Sequence, residues 1–237
     1  MHKNKIHILS TRPVDKNLVH EAAKFDIVLD EISFIKTEAI IDDELDKKIK
    51  RLLLQELSIV FTSMNAVDAV SKFIITKPTW KIYCIGNTTK NLVKKYFGEE
   101  SIIATAENAA HLADKIASDA TISSITFFCG DKRREELPEK LKSNNISVDE
   151  ITVYRTKETA EIITKTYDGI LFYSPSAVNS FFFKNKVVAQ TQLFAIGSTT
   201  ANALQQFTKQ PVSIASRPDK ENLVKLAINH FSKSKIS

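Results

Sequence analysis

Four stretches of this chain occur twice, and the copies keep the same order. Phe61-Thr62-Ser63-Met64-Asn65-Ala66-Val67 returns 111 residues later as Phe172-Tyr173-Ser174-Pro175-Ser176-Ala177-Val178. At the same offset Ile85-Gly86-Asn87-Thr88-Thr89 returns as Ile196-Gly197-Ser198-Thr199-Thr200, and Asn108 to Leu112 lines up with Asp219 to Leu223. Leu29 to Thr37 parallels Val148 to Thr156 at an offset of 119, so the segment joining head to tail is eight residues longer in the first copy. Solenoid repeats have periods of roughly 20–50 residues. A period this long predicts a duplicated domain, with the ligand expected between the two halves.

Within each copy short apolar runs alternate with amphipathic stretches of helical length. Strands are expected at Ile6–Leu9, Ile27–Ile35, Ser58–Phe61, Lys81–Ile85, Ile125–Cys129, Val148–Tyr154, Gly169–Phe172 and Leu193–Ile196. Helices are expected at 14–24, 42–55, 66–73, 89–97, 109–117, 135–142, 177–183, 200–207 and 221–231. In 42–55 the apolar Leu45, Ile49, Leu52 and Leu53 recur near helical spacing. Strands alternating with helices predict an α/β fold of parallel sheets covered on both faces.

Several function classes are disfavoured by what the chain lacks. No apolar run approaches the roughly 18–20 residues of a membrane helix, and the start has no signal-like apolar stretch, so a cytoplasmic protein with no membrane partner is expected. With only 5 glycines there is neither a Walker loop nor a Gly-x-Gly-x-x-Gly pattern. The five histidines have no metal-ligand spacing, and Cys84 and Cys129 sit in apolar runs as expected of buried reduced thiols. The net charge of +5 is spread among acidic residues, without the basic arm or basic–aromatic stripe of a nucleic-acid binder. A basic site for a small polyanion fits the same balance.

In open parallel sheets ligands bind beyond the carboxyl ends of the strands, where the repeated turns fall. Thr62 and Ser63 match Ser174 and Ser176, and Gly86, Thr88 and Thr89 match Gly197, Ser198, Thr199 and Thr200. Hydroxyls there suit helix caps, and helix N-termini offer amide donors to anions. Capping alone also accounts for a Ser or Thr at such a position. Arg12 ends the first strand, and Arg133 and Arg134 follow Gly130 at the matching end in the second copy. An arginine at a strand end can clamp a carboxylate through two parallel bonds. Tyr154 is the best protic residue near such a site, and its counterpart in the first copy is Ile35.

With these residues assembled, nearly the whole chain resembles the uroporphyrinogen-III synthase family. The matching pieces are Thr11-Arg12-Pro13, Phe61-Thr62-Ser63 with Asn65-Ala66-Val67, Ile85 to Thr89, Gly130 with Arg134 and Leu137, Val153-Tyr154-Arg155-Thr156, Phe172 to Val178, and Ile196 to Ala201. The chain departs from the family at Met64-Asn65, where Pro-Arg is common. The resemblance implies two α/β domains with exchanged halves, joined by a two-stranded β connector that permits hinge closure. On this reading 1–34 with 157–237 form a discontinuous first domain, 38–153 the second, and the connectors lie near 33–38 and 151–157.

The implied reaction cyclises hydroxymethylbilane, a linear tetrapyrrole polycarboxylate, to uroporphyrinogen III with inversion of ring D and loss of water. No cofactor or metal is implied. Tyr154 becomes the expected proton donor. The expected substrate contacts are Thr11, Arg12, Thr62, Ser63, Asn65, Gly86, Thr88, Thr89, Gly130, Arg134, Ser174, Ser176, Ala177, Gly197, Ser198, Thr199 and Thr200. A monomer is expected, with transient hand-over of substrate from hydroxymethylbilane synthase. The alternative reading is a non-enzymatic two-lobed protein that closes on a small anion.

Overall fold

The computed structural model describes residues 5–233. In chain order its first elements are β1 (Ile6–Ser10), α1 (Lys16–Ala23), β2 (Ile27–Glu31), β3 (Ile35–Ala39), α2 (Asp43–Leu52), β4 (Leu57–Phe61), α3 (Met64–Ser71), β5 (Trp80–Ile85), α4 (Gly86–Phe97), β6 (Ile102–Ala106) and α5 (Ala109–Ala117). There follow β7 (Ser124–Gly130), α6 (Glu136–Ser143), β8 (Ser147–Glu158), β9 (Gly169–Phe172), α7 (Pro175–Lys184), β10 (Gln192–Ala195), α8 (Ser198–Gln205), β11 (Val212–Ile214) and α9 (Lys220–Lys233).

Among the described residues the strands form a five-stranded sheet, β11-β10-β9-β1-β2, and a six-stranded sheet, β3-β8-β7-β4-β5-β6. Every pairing in the first sheet is parallel, as are those from β8 through β6 in the second. The chain divides into two compact units, one made of the segments up to Lys36 and from Lys157 onward, the other of Thr37–Thr156. The chain passes from one unit to the other inside β3 and inside β8, which are neighbours in the six-stranded sheet.

Strand alternation distributes each core over two faces. In the six-stranded sheet Ile59 and Phe61 of β4 pack with Val67, Val70, Trp80 and Phe97, while Val60 between them packs with Leu112, Ile116 and Leu137. In the other sheet Leu9 of β1 packs with Phe172, Phe181 and Leu204, and Ile8 with Leu18, Leu223 and Val224. Both faces are covered by helices, which is why β9 and the buried Ile59–Phe61 of β4 read as apolar runs. Aromatic rings dominate one layer: Phe61 and Phe128 have centroids 5.6 Å apart, and Trp80 and Phe97 5.5 Å. The thiols of Cys84 and Cys129 are buried and free, and burial pushes Cys84 up to about 11, which suppresses its thiolate.

The single strand expected over 27–35 is two strands. The chain breaks at Ile32-Ser33-Phe34, where Phe34 turns fully inward and meets Phe181 edge-on at 5.2 Å. Two strands were not expected at all, β6 and β11. Both are sheet edges, and an edge strand carries little of the apolar run that marks a buried one. Helix starts also differ. α4 opens at Gly86 and not Thr89, and α8 at Ser198 and not Thr200.

Candidate functional site

In the six-stranded sheet the carboxyl end of β7 is Gly130, whose register partner on β8 is Tyr154 across a local irregularity after Cys129. A Cβ on Gly130 would lie 2.4 Å from Tyr154 Cζ and 2.7 Å from its hydroxyl oxygen. Glycine here admits the ring, which occupies the space a Cβ would take. The ring is thereby carried to the start of α3. There the Ser63 and Asn65 side chains act on the Tyr154 hydroxyl, and Ser63 Oγ accepts from Asn65 N at 3.2 Å. Burial pushes the Tyr154 hydroxyl above its ordinary value, Ser63 and Asn65 oppose this, and Cys129 and Asp131 add to it. A half-buried phenol that holds its proton at neutral pH, within hydrogen-bond reach of polar groups, has the properties of a proton donor.

The five-stranded sheet brings together a different set at its carboxyl ends. Ser10 at the end of β1 donates through Oγ to Arg12 O at 2.6 Å and lies 3.2 Å from the Tyr173 hydroxyl. The Arg12 guanidinium stacks over the Tyr173 ring, 5.6 Å from its centroid. Burial lowers the Arg12 pKa, with Tyr173 acting the other way. Thr11 is committed to the fold, since its amide and Oγ1 both donate to Leu171 O, at 3.1 and 2.8 Å. Tyr173 was not among the residues expected at the site. The repeat offered a signal, because Tyr173 occupies the place of Thr62.

The repeated turns divide between capping and exposure. Ser174 caps α7, accepting from Ala177 N at 3.2 Å, so the Ala177 amide is already taken. Thr89 and Thr200 are buried, whereas Thr88, Ser198 and Thr199 face solvent at the first turns of α4 and α8. Neither of those helices has a side-chain cap bond, so their first amides are open to water or to an anion. Gly86 has φ +69° with nothing near a would-be Cβ, so its backbone conformation and not crowding selects glycine. Thr62 and Ser176 are half-buried beside the caps.

The two arginines after Gly130 differ. Arg133 pairs with Glu135 at 2.5 Å and with Glu150, which fastens the loop to β8. Arg134 is exposed with no ion pair among the described residues. No group of three or more His, Cys, Asp or Glu side chains among them could hold a metal, and no helix is long and apolar enough to cross a membrane.

Because Ser174 takes an amide that helix α7 would otherwise leave unpaired, Ser174→Ala should destabilise the chain by about 1 kcal/mol. The expected readout is a lower urea midpoint with an unchanged slope.

Comparison with known proteins bears on this arrangement. The family model described as uroporphyrinogen-III synthase HemD matches residues 17–225. Uroporphyrinogen-III synthase of Saccharomyces cerevisiae is 28% identical over 120 residues, which is 44% of this chain and 44% of the yeast protein's length. Among solved structures, uroporphyrinogen-III synthetase of Helicobacter pylori aligns over 95% of this chain and 99% of its own, with a TM-score of 0.67 and 15% identity. A mutant uroporphyrinogen III synthase of Thermus thermophilus aligns over 97% and 99%, with a TM-score of 0.64 and 14% identity. The structural likenesses speak to the fold, and the family model spans both units. The chain belongs to the uroporphyrinogen-III synthase family.

Proposed function

We propose that the protein is a uroporphyrinogen-III synthase, a cyclising hydro-lyase that converts hydroxymethylbilane to uroporphyrinogen III. The reading is carried by the family match over residues 17–225. The Tyr154 hydroxyl, held by Gly130 and Ser63, supports it from the geometry.

The chemistry asks for few groups. Tyr154 gives its proton to the hydroxymethyl oxygen as the C–O bond breaks, the electron pair leaves with oxygen, and water departs. The pyrrole nitrogen supplies electron density, leaving an azafulvene cation. The substituted carbon of ring D attacks this cation to form a spiro intermediate. Its bond to the ring C methylene breaks, and the unsubstituted carbon of ring D closes onto that methylene with ring D inverted. The proton this carbon sheds on rearomatising restores the Tyr154 hydroxyl. The cation is reactive without help, so the protein's work is to fold the substrate so that this carbon, and not the unsubstituted one, is the nearer nucleophile. Substrate carboxylates are received by Arg12, by Arg134, and by the exposed amides and hydroxyls at the starts of α4 and α8, where preorganised donors act at low reorganisation cost. The protein acts as a monomer on substrate handed over by hydroxymethylbilane synthase.

A coupled assay tests the reading. Hydroxymethylbilane is generated in place and the oxidised products are resolved into uroporphyrin I and III. Isomer III in proportion to added protein is expected. Isomer I alone from a folded sample, the product of spontaneous closure, would overturn the synthase reading and favour a protein that binds a small anion without turnover.

A further inference from the structure

Tyr173 does not resemble a residue placed only for packing. Its ring belongs to the apolar cluster of Ile8, Leu171, Leu223 and Val224, yet its hydroxyl end meets Ser10 and its face carries Arg12. Leu223 and Val224 lie one turn into α9, so the same cluster brings Lys220, the first residue of that helix, to the Tyr173 side of the sheet.

The neighbouring acids each accept hydrogen bonds from elsewhere, and Glu31 also acts electrostatically on Tyr173. Glu31 at the end of β2 accepts from Val14 N at 3.0 Å, and Asp219 accepts from Asn222 N at 2.8 Å and from Asn222 Nδ2 at 2.5 Å. None of the ion pairs among the described residues involves Arg12 or Lys220. Partial burial and the Arg12 charge together hold the Lys220 ammonium below its ordinary value. Arg12 over the Tyr173 ring and Lys220 at the start of the helix whose Leu223 and Val224 pack against that ring are two cations on one side of the sheet, a place where added negative charge is favoured.

We propose that Arg12, seated on the Tyr173 ring, and Lys220 form a two-point receptor for adjacent carboxylate arms of one pyrrole ring of the substrate, with Tyr173 as the positioning residue. The assignment rests on the synthase reading above and adds to it a second charge and the platform that aims the first. The planar guanidinium takes one carboxylate through paired donors, and the ammonium, a point charge on a flexible stem, takes the other.

The test compares Lys220→Gln, Tyr173→Leu, Tyr173→Phe and Arg12→Gln in two readouts, KM and kcat for isomer III formation and the Kd for uroporphyrin III measured by equilibrium dialysis. Lys220→Gln is at an exposed helix start and should leave folding intact. It is expected to raise KM and Kd about ten- to a hundredfold, the scale of a lost charge-assisted hydrogen bond, with kcat changed far less. Tyr173→Leu should raise KM in the same sense, and the loss should vanish when Arg12 is already Gln, because the ring acts through that arginine. Tyr173→Phe, which keeps the aromatic face, should recover most of the loss. Unchanged KM and Kd in Lys220→Gln while isomer III still forms would overturn the receptor and leave the synthase intact. If the unmodified protein forms no isomer III, the synthase reading fails. The dialysis arm then decides the receptor alone: a Kd for uroporphyrin III that Lys220→Gln does not weaken overturns it, and a weakened one sustains it.

Discussion

Tyr154→Phe should lower kcat by about 10²- to 10⁴-fold, the usual contribution of a positioned general acid, and move KM little. The substitution keeps the ring that fills the space above Gly130 and removes only the hydroxyl that Ser63 and Asn65 reach. The protonation state has the right sign. Burial raises the phenol's pKa, so it remains protonated through neutral pH, and the donor form is lost only as pH rises through that raised value. The unmodified protein should therefore show an alkaline fall in kcat that Tyr154→Phe lacks. Steady-state assays of isomer III across pH, with circular dichroism to establish folding, would check both points. A folded Tyr154→Phe protein with unchanged kcat would remove Tyr154 from the mechanism and leave the proton to water or to a substrate carboxyl.

What the sequence made legible follows from which interactions are local. β4 and β9 are visible because strands buried on both faces must be apolar, as Ile59–Phe61 and Gly169–Phe172 are. The parallel α/β class follows from such strands alternating with helices like α2, whose Asp42 cap, acidic first turn and basic last turn can be read directly. β11 was invisible because three edge residues, with Ile214 48% exposed, carry no pattern. The break at Ile32-Ser33-Phe34 was hidden because Phe34 looks like one more strand residue until Phe181, far along the chain, receives it.

The site divides in the same way. The Ser63 and Ser174 caps are local and readable, since each side chain bonds an amide two or three residues on. The different fates of Arg133 and Arg134 were not readable, because Glu150 selects Arg133 from across a strand pairing. Tyr173 was overlooked for a related reason. The repeat marks its position as a turn, but its ring acquires a purpose only where β9, lying next to β1, brings it under Arg12.

The same non-local logic makes Gly130 the position whose change should be most informative. Gly130→Ala places a methyl 2.4 Å from Tyr154 Cζ and 2.5 Å from Cε2, well inside contact distance, so the ring must leave its seat. Overpacking of this kind costs about 1–3 kcal/mol. The larger effect should be on turnover, because a displaced ring carries the hydroxyl away from Ser63, and a displacement of about 1 Å can cost roughly a hundredfold in rate. The cause is separable by a double-mutant cycle. In a Tyr154→Ala background the methyl enters vacated space, so Gly130→Ala should cost little further stability and almost no further activity. If the two substitutions instead add fully in both urea midpoint and kcat, Gly130 acts through something other than Tyr154, and the seat described here is not what selects glycine at the end of β7.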